Sequence, residues 1–150
     1  MLKRITIFLI LIIFVSGCDY SPIHTNKKNN IEIKITNITG DQEINDYLYK
    51  DLKRKSKNSS EKIEVKVNTS FTKRILAKNT KSFATDYELK VVGNFELKNE
   101  DNSQKFTISE KFRYKNLNDK YEQNNYEKMI KRNLTKTIVN KLSLKINNFK

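Results

Sequence analysis

The sequence predicts an α/β two-layer sandwich, with a four-stranded, mostly antiparallel or mixed sheet and two helices on one face, in the order β-α-β-β-β-α. Four segments alternate apolar and polar residues with a period of two, which indicates half-buried strands. Two further segments place apolar residues three and four positions apart, which indicates amphipathic helices. Each predicted strand has only one strongly apolar face, so we expect both helices to pack against that face.

The first strand and the first helix are adjacent in the sequence. Residues 31–36 alternate strictly, with isoleucines on one face. Asp41 is a suitable N-cap after Gly40, and Glu43 adds negative charge to the first turn, where the helix dipole favours it. The apolar face of the helix then consists of Ile44, Tyr47, Leu48 and Leu52. We expect this helix to end at residues 58–60, after a strongly basic last turn.

The next three strands are consecutive and should be antiparallel neighbours. Strand two covers residues 63–71, its pattern can be followed to Ile75, and a polar turn over residues 78–82 follows. Strand three is the most regular, and its apolar face consists of Tyr87, Leu89, Val91, Gly93, Phe95 and Leu97. In that face, Gly93 either lets a helix approach closely or marks a bulge. After a hairpin loop over residues 99–103, strand four presents Phe106, Ile108, Phe112 and Tyr114, interrupted by Glu110.

A long helix is predicted from about Tyr121 to the end of the chain. Its apolar stripe consists of Tyr126, Met129, Ile130, Leu134, Ile138, Leu142 and Ile146, and Val139 widens it. We interpret the stripe as part of the core rather than as a ligand groove.

Residues 1–17 have the layout of a lipoprotein signal peptide. Basic Lys3 and Arg4 precede an apolar run over residues 5–15, which is too short to span a bilayer. The run ends in Val15-Ser16-Gly17-Cys18, which resembles the bacterial lipobox. Cleavage would expose Cys18, the only cysteine of the chain, for a covalent diacylglyceryl and N-acyl lipid. The alternative is a buried or anchor-helix cysteine, but the apolar run stops at Cys18.

The predicted signal peptide also sets the boundaries of the segments that follow it. Residues 18–30 are predicted to be a lipidated N-terminal tether, and residues 31–150 to form a single periplasmic domain. No second cysteine is present for a disulfide, so the domain must be stabilised by packing. His24 lies in the tether and has no second histidine with which to bind a metal.

The chain carries a formal net charge of +13. A charge of this size often indicates nucleic-acid binding, but an exported protein seldom meets nucleic acid. Phosphorylated lipids and acidic sugars of the envelope are better candidates. The richness in Lys, Asn and Ile also fits a bias in base composition, in which case many lysines are simply solvated.

The sequence shows no catalytic constellation. It has no histidine pair for zinc, no Gly-x-Ser-x-Gly motif and no glycine-rich phosphate loop. Asp86 and Glu88 share the polar face of strand three, but we interpret them as a structural pair at a strand edge. We therefore predict a binding or scaffolding protein without a cofactor or metal site, rather than an enzyme.

The positive charge should be concentrated at one end of the sheet. If strands two to four are antiparallel neighbours, the turn between two and three lies at the same end as the exit from strand four. That end gathers Lys78, Lys81, Lys115 and Lys120, whereas the opposite loop over residues 99–103 is acidic. Several lysines together attract phosphate, so these four are the candidate anion-binding residues.

Several short motifs together resemble the lipopolysaccharide-assembly lipoprotein family (LptE). The segment Cys18-Asp19-Tyr20-Ser21-Pro22-Ile23-His24 is similar to the opening of family members, Cys-Gly-aromatic-x-Pro-Leu-aromatic. The segment Ala84-Thr85-Asp86-Tyr87-Glu88-Leu89 resembles the start of their third strand, and the later Phe95-x-Leu97 fits as well. The aromatic-rich link over residues 114–126 is also similar. Asp19 departs from the usual glycine, and in some bacteria an acidic residue here directs retention in the inner membrane.

This resemblance implies a specific function. Members of the family are outer-membrane lipoproteins that face the periplasm, plug the lumen of the LptD β-barrel, help it assemble, and contact lipopolysaccharide. The resemblance therefore makes the four lysines candidate contacts for lipopolysaccharide phosphates. An alternative is a periplasm-facing lipoprotein scaffold that stabilises another envelope complex through its polar sheet face, and a lipoprotein enzyme of unknown type is a third.

Overall fold

The computed structural model describes residues 31–59 and 61–149. The predictions for Cys18, His24 and the rest of residues 1–30 lie outside this range. In order, the elements are β1 (Glu32–Gly40), α1 (Gln42–Lys55), β2 (Lys62–Lys78), β3 (Ala84–Lys98), β4 (Ser103–Lys115) and α2 (Lys120–Asn147). The predicted fold class, an α/β sandwich with an open four-stranded sheet and two helices, is confirmed.

The sheet is mixed, and its strands follow the order of the chain. β1 pairs with β2 in parallel, whereas β2 with β3 and β3 with β4 pair antiparallel. The parallel pair is possible because α1 connects β1 to β2 as a crossover. β1 covers only part of β2, since the last pair of their register is Gly40 with Thr69. The rest of β2 projects beyond β1 and pairs only with β3.

β1 is longer than predicted because of a bulge. The register with β2 shifts between Ile35 and Asn37, and the extra residue changes the phase of the alternation. Ile38 therefore packs against the same core as Ile33 and Ile35. A strict period of two fails at Thr36, so the sequence pattern stopped four residues before the strand does.

The chain turns from β1 into α1 at Gly40. Its φ of +103° is favoured by glycine, and a Cβ there would lie 1.8 Å from the carbonyl oxygen of Thr69. Asp41 caps α1 as predicted, because its Oδ1 accepts a hydrogen bond of 3.0 Å from the Ile44 N–H. The helix ends at Lys55, earlier than predicted, because the Ser56 side chain accepts a hydrogen bond from the Ile33 N–H.

Both helices contribute to one core on one face of the sheet. α1 packs against β1, α2 packs against β3 and β4, and the helices contact each other. They run in the same direction, since Lys131 of α2 reaches the start of α1 and Lys55 at the end of α1 reaches Asn140 further along α2. Within residues 31–59 and 61–149, the resulting two-layer arrangement leaves the other face of the sheet without a covering helix.

The predicted core is largely confirmed. Buried positions include Leu89, Val91, Phe95, Leu97, Ile130, Leu134, Ile138, Val139, Leu142 and Ile146. Two predicted apolar positions of α2 and β4 differ: Met129 is 51% exposed and Phe112 is 42% exposed. Phe112 follows Glu110, which forms an ion pair of 2.5 Å with Lys141 on α2. A polar contact between helix and sheet therefore replaces apolar packing in this part of β4.

Gly93 neither marks a bulge nor serves mainly to admit a helix. The β3 register passes through it without a shift on both sides. A Cβ at this position would lie 2.5 Å from the Phe95 ring, but at an ordinary 3.6 Å from Ile138 on α2. The glycine therefore makes room chiefly for the aromatic ring two residues along its own strand.

Candidate functional site

The four lysines selected from the sequence lie at one end of the molecule, as the topology predicts. Lys78 ends β2, Lys81 lies in the following turn, Lys115 ends β4 and Lys120 begins α2. All four are exposed, and within the described ranges none of them forms an ion pair. We call this region the basic end. Its charge is not uniformly positive, because Asp86 lies opposite Lys115 in the register of β3 and β4.

The basic end also carries apolar side chains whose exposure the sequence pattern does not predict. Ile75 is 48% exposed, Leu76 is 39% exposed and Phe83 is 67% exposed. All three belong to the β2–β3 hairpin where it projects beyond β1. The basic end is therefore amphiphilic, with lysines and exposed hydrophobic groups in the same hairpin.

The hairpin turn is ordered by Asn79. Its side-chain oxygen accepts hydrogen bonds from the backbone N–H groups of Lys81, at 2.9 Å, and Phe83, at 3.0 Å. Ser82 completes the turn with a φ of 63°. These contacts fix the backbone from which Lys81 and Phe83 extend.

A polar network joins the projecting part of β2 to α2. Glu127 accepts hydrogen bonds from Lys73 at 2.5 Å and from Gln123 at 2.8 Å, and also from the Tyr114 hydroxyl. Burial alone would raise the pKa of Glu127, but these hydrogen bonds outweigh it and lower that pKa. The same burial, together with Glu127, raises the pKa of the Tyr114 hydroxyl. The network therefore supports the basic end from the helix side of the sheet.

Glu88 lies on the open face of the sheet, and the interpretation as an edge residue is wrong. β3 is an inner strand, so Glu88 has a neighbour on each side. Arg74 on β2 contacts one carboxylate oxygen at 2.5 Å, and Arg113 on β4 contacts the other at 3.0 Å. The two long side chains leave Glu88 only 3% exposed. The hydrogen bond from Arg113, with the help of Arg74, lowers the pKa of this carboxyl despite its burial.

Asp86 has a different environment from Glu88. Its carboxylate accepts a hydrogen bond of 2.8 Å from the Thr85 hydroxyl. The two carboxylates therefore do not form the pair that their spacing suggested. The contact between Glu88 and Arg113 could have been inferred from the sequence. The short loop over residues 99–102 sets the register of β3 and β4, and this register places Glu88 opposite Arg113.

The described ranges contain no group of three or more His, Cys, Asp or Glu side chains placed to hold a metal ion. None of the helices in residues 31–59 and 61–149 is long and apolar enough to cross a membrane. What the structure presents is an α/β sandwich domain with one covered sheet face, one open polar face and an amphiphilic basic end.

Solved structures of bacterial lipoproteins share this fold. Rare lipoprotein B from Shewanella oneidensis superposes with a TM-score of 0.64 at 11% identity, covering 80% of this chain and 95% of that chain. An uncharacterized lipoprotein B from Nitrosomonas europaea gives a TM-score of 0.53 at 15% identity, covering 80% and 86%. At these identities the likeness establishes the fold alone. No protein-family profile and no curated protein sequence matches this chain.

Proposed function

We propose that this protein is an outer-membrane lipoprotein on the periplasmic face. In this proposal it plugs and helps assemble an LptD-type β-barrel, and it contacts lipopolysaccharide during transport to the cell surface. The observation that carries the proposal is the fold shared with rare lipoprotein B, found in a chain whose residues 15–18 resemble a lipobox. The function is binding rather than catalysis, and no cofactor is required apart from the lipid on Cys18.

The basic end supports the lipid-binding part of the proposal. Lipopolysaccharide carries phosphates and acyl chains, so a surface that recognises it needs cations and apolar groups together. The basic end offers four exposed lysines with exposed Phe83, Ile75 and Leu76 in the same hairpin. Lysine suits phosphate as a mobile point charge, and a cluster of lysines raises the local concentration of anions.

The lipid anchor is tested by labelling cells with a palmitate analogue. The mature protein should lack residues 1–17 and carry label on Cys18. A Cys18→Ser protein should remain unlabelled, and label on that variant would contradict the anchor. Separation of inner and outer membranes then tests the location, because Asp19 allows retention in the inner membrane.

The barrel partner is tested by affinity purification of the tagged full chain from detergent-solubilised envelopes. The proposal expects an LptD-type barrel to co-purify in a one-to-one ratio. Recovery of a different envelope complex, without the barrel, would instead favour the scaffold alternative.

The basic end is tested by replacing Lys78, Lys81, Lys115 and Lys120 with Gln. Lipopolysaccharide binding should weaken about tenfold or more and become less sensitive to salt, while the barrel still co-purifies. A matched control replaces four other exposed lysines: Lys34, Lys50, Lys53 and Lys136. An equal loss of lipopolysaccharide binding in both variants would mean that net charge causes the effect and that the lysines of the basic end are simply solvated.

A further inference from the structure

The outward-facing residues of β2, β3 and β4 form rows across the open face of the sheet. Each row takes one residue from each strand, because the two antiparallel registers align. Two rows place a glutamate of β3 between two cations. These rows are Arg74–Glu88–Arg113 and Lys66–Glu96–Lys105. The second row is looser than the first, with distances of 3.8 and 3.9 Å between the lysine nitrogens and Glu96.

The row beside the first of these lacks the central acid. It consists of Thr72, Lys90 and Lys111, and the two lysines are direct partners in the β3–β4 register. Like charges placed directly opposite each other destabilise a sheet. Both lysines are exposed, and among residues 31–59 and 61–149 neither forms an ion pair. The row thus holds two positive charges and no acidic residue of its own.

The neighbouring carboxylate compensates these charges only in part, through an electrostatic attraction between Glu88 and Lys111. Each oxygen of Glu88 is already bound by an arginine, Arg74 on one side and Arg113 on the other. Glu88 therefore neutralises one of the two arginines, and a positive excess remains in that row as well. The net charge of the two adjacent rows attracts anions to this part of the open face.

Hydroxyl groups complete the surroundings of the lysine pair. A depression of about 420 Å³ is lined by Thr72, Arg74, Glu88, Lys90, Ser109 and Lys111. In the described part of the chain, the hydroxyls of Thr72 and Ser109 have no hydrogen-bond partner. The depression therefore combines two ammonium groups that are not in ion pairs with two free hydroxyl donors.

We propose that this depression binds a doubly charged phosphate group, either as inorganic phosphate or as a phosphomonoester. Two negative charges balance Lys90 and Lys111, and the additional phosphate oxygens accept hydrogen bonds from Thr72 and Ser109. A carboxylate would neutralise only one lysine and would offer only two oxygens. The site consists of residues other than the four lysines of the basic end, and it does not depend on association with a barrel.

The test measures thermal unfolding of the full-length protein in detergent, with inorganic phosphate as the probe. At pH 8 and constant ionic strength, replacing chloride with phosphate should raise the unfolding midpoint in a saturable manner, because a ligand that binds only the folded state stabilises it. The double variant Lys90→Gln/Lys111→Gln should lose this response, with at least a tenfold weaker apparent affinity. The matched control Lys66→Gln/Lys105→Gln removes two charges from the same face and should retain it.

The outcomes separate a site from general electrostatics. No saturable response in the wild-type protein, or an equal loss in the control variant, would overturn the proposal. Detergent micelles containing phosphatidic acid, a phosphomonoester lipid, then distinguish the source of the phosphate. Binding much tighter than that of inorganic phosphate, and lost in the Lys90/Lys111 variant, assigns a lipid headgroup. Equal affinity for both probes assigns a soluble phosphate.

A single substitution tests whether the row of Lys90 and Lys111 lacks an acidic residue on β3. Lys90→Glu places a carboxylate between the strands, as in the rows of Glu88 and Glu96. This variant should unfold at a higher temperature than the wild type without phosphate, and it should no longer respond to phosphate. A lower unfolding temperature, or a retained response, would contradict the presence of an uncompensated lysine pair.

Discussion

The Nζ of Lys131 lies 2.8 Å from the Oδ1 of Asp41 and thereby connects the middle of α2 to the first residue before α1. Lys131 also reaches Glu43 at 2.9 Å, and its Nζ lies 4.7 Å from the centre of the Phe71 ring. The same Asp41 carboxylate caps α1 through the Ile44 N–H. One carboxylate therefore fixes both the start of a helix and its position against the other helix.

Replacing Lys131 with Met should lower the free energy of unfolding by about 1–3 kcal/mol, because the partly buried Asp41 carboxylate loses its charged hydrogen-bond donor. The Lys131 side chain is only 11% exposed, whereas the Asp41 side chain is 22% exposed and keeps some contact with water. The expected loss is therefore smaller than that for breaking a fully buried ion pair. Urea unfolding measures the change. The control Lys128→Met, at an exposed position on the same helix, should change stability by less than about 0.5 kcal/mol.

The contribution of this ion pair should depend on pH. Burial raises the pKa of Asp41, but hydrogen bonds from Lys131 and the Ile44 N–H outweigh it, so the pKa lies below its ordinary value of 3.8. Such a group stabilises the fold above pH 3.8, and this stabilisation is lost as the pH falls through the folded-state pKa. Burial would lower the pKa of Lys131, but Asp41 and Glu43 raise it above 10.5, so its contribution is present below that pH.

The stability difference between the wild type and Lys131→Met should therefore be constant near neutral pH and shrink in acid. Urea midpoints of both proteins, measured from pH 7 down to pH 2.5, follow this difference. A difference that is the same at both ends of this range would show that Lys131 stabilises through packing on Phe71 rather than through Asp41.

The sequence indicates that Lys131 lies beside the core, but it does not indicate which residue Lys131 contacts. Val139 widens the apolar stripe of α2, and steps of four residues towards the N-terminus lead to Thr135 and Lys131, both of which are buried. The periodicity thus places Lys131 beside the core. Its partner Asp41 lies 90 positions away, and only the packing of the two helices brings them together.

The strands also show which features the periodicity of the sequence can predict and which it cannot. Alternation predicted which residues of β3 face the core, because a half-buried strand must separate its faces. It could not predict the bulge in β1, which interrupts the alternation, or the parallel position of β1 beside β2. The basic end followed from the antiparallel connections alone. The exposure of Ile75 could not be predicted in the same way, because an apolar residue in a strand is expected to be buried.

The two faces of β3 should differ strongly in their tolerance of truncation. Leu89 is fully buried, so Leu89→Ala should lower the free energy of unfolding by about 2–5 kcal/mol. Asn94 is exposed on the open face and accepts a hydrogen bond of 2.7 Å from the Thr107 hydroxyl. Asn94→Ala should cost less than about 0.5 kcal/mol. Similar losses in both variants, measured by urea unfolding, would mean that the open face is covered in the free protein.

Gly93→Ala should destabilise the protein by about 1–3 kcal/mol, which is typical of overpacking in a core. The added Cβ would lie 2.5 Å from the Phe95 ring. This ring cannot easily move, because it is only 2% exposed and stacks on Phe106 with 5.6 Å between the ring centres. Without this contact, alanine would be favourable, because it has less backbone entropy to lose than glycine.

A double-mutant cycle with Phe95→Leu tests this cause. Phe95→Leu alone removes the ring and should destabilise the protein, but it also opens the space next to Gly93. In that background, Gly93→Ala should cost less than about 0.5 kcal/mol or become stabilising, and the coupling between the two positions should exceed about 1 kcal/mol. An unchanged cost in both backgrounds would instead place the obstruction at Ile138, 3.6 Å from the same Cβ position, and would make the helix the reason for this glycine.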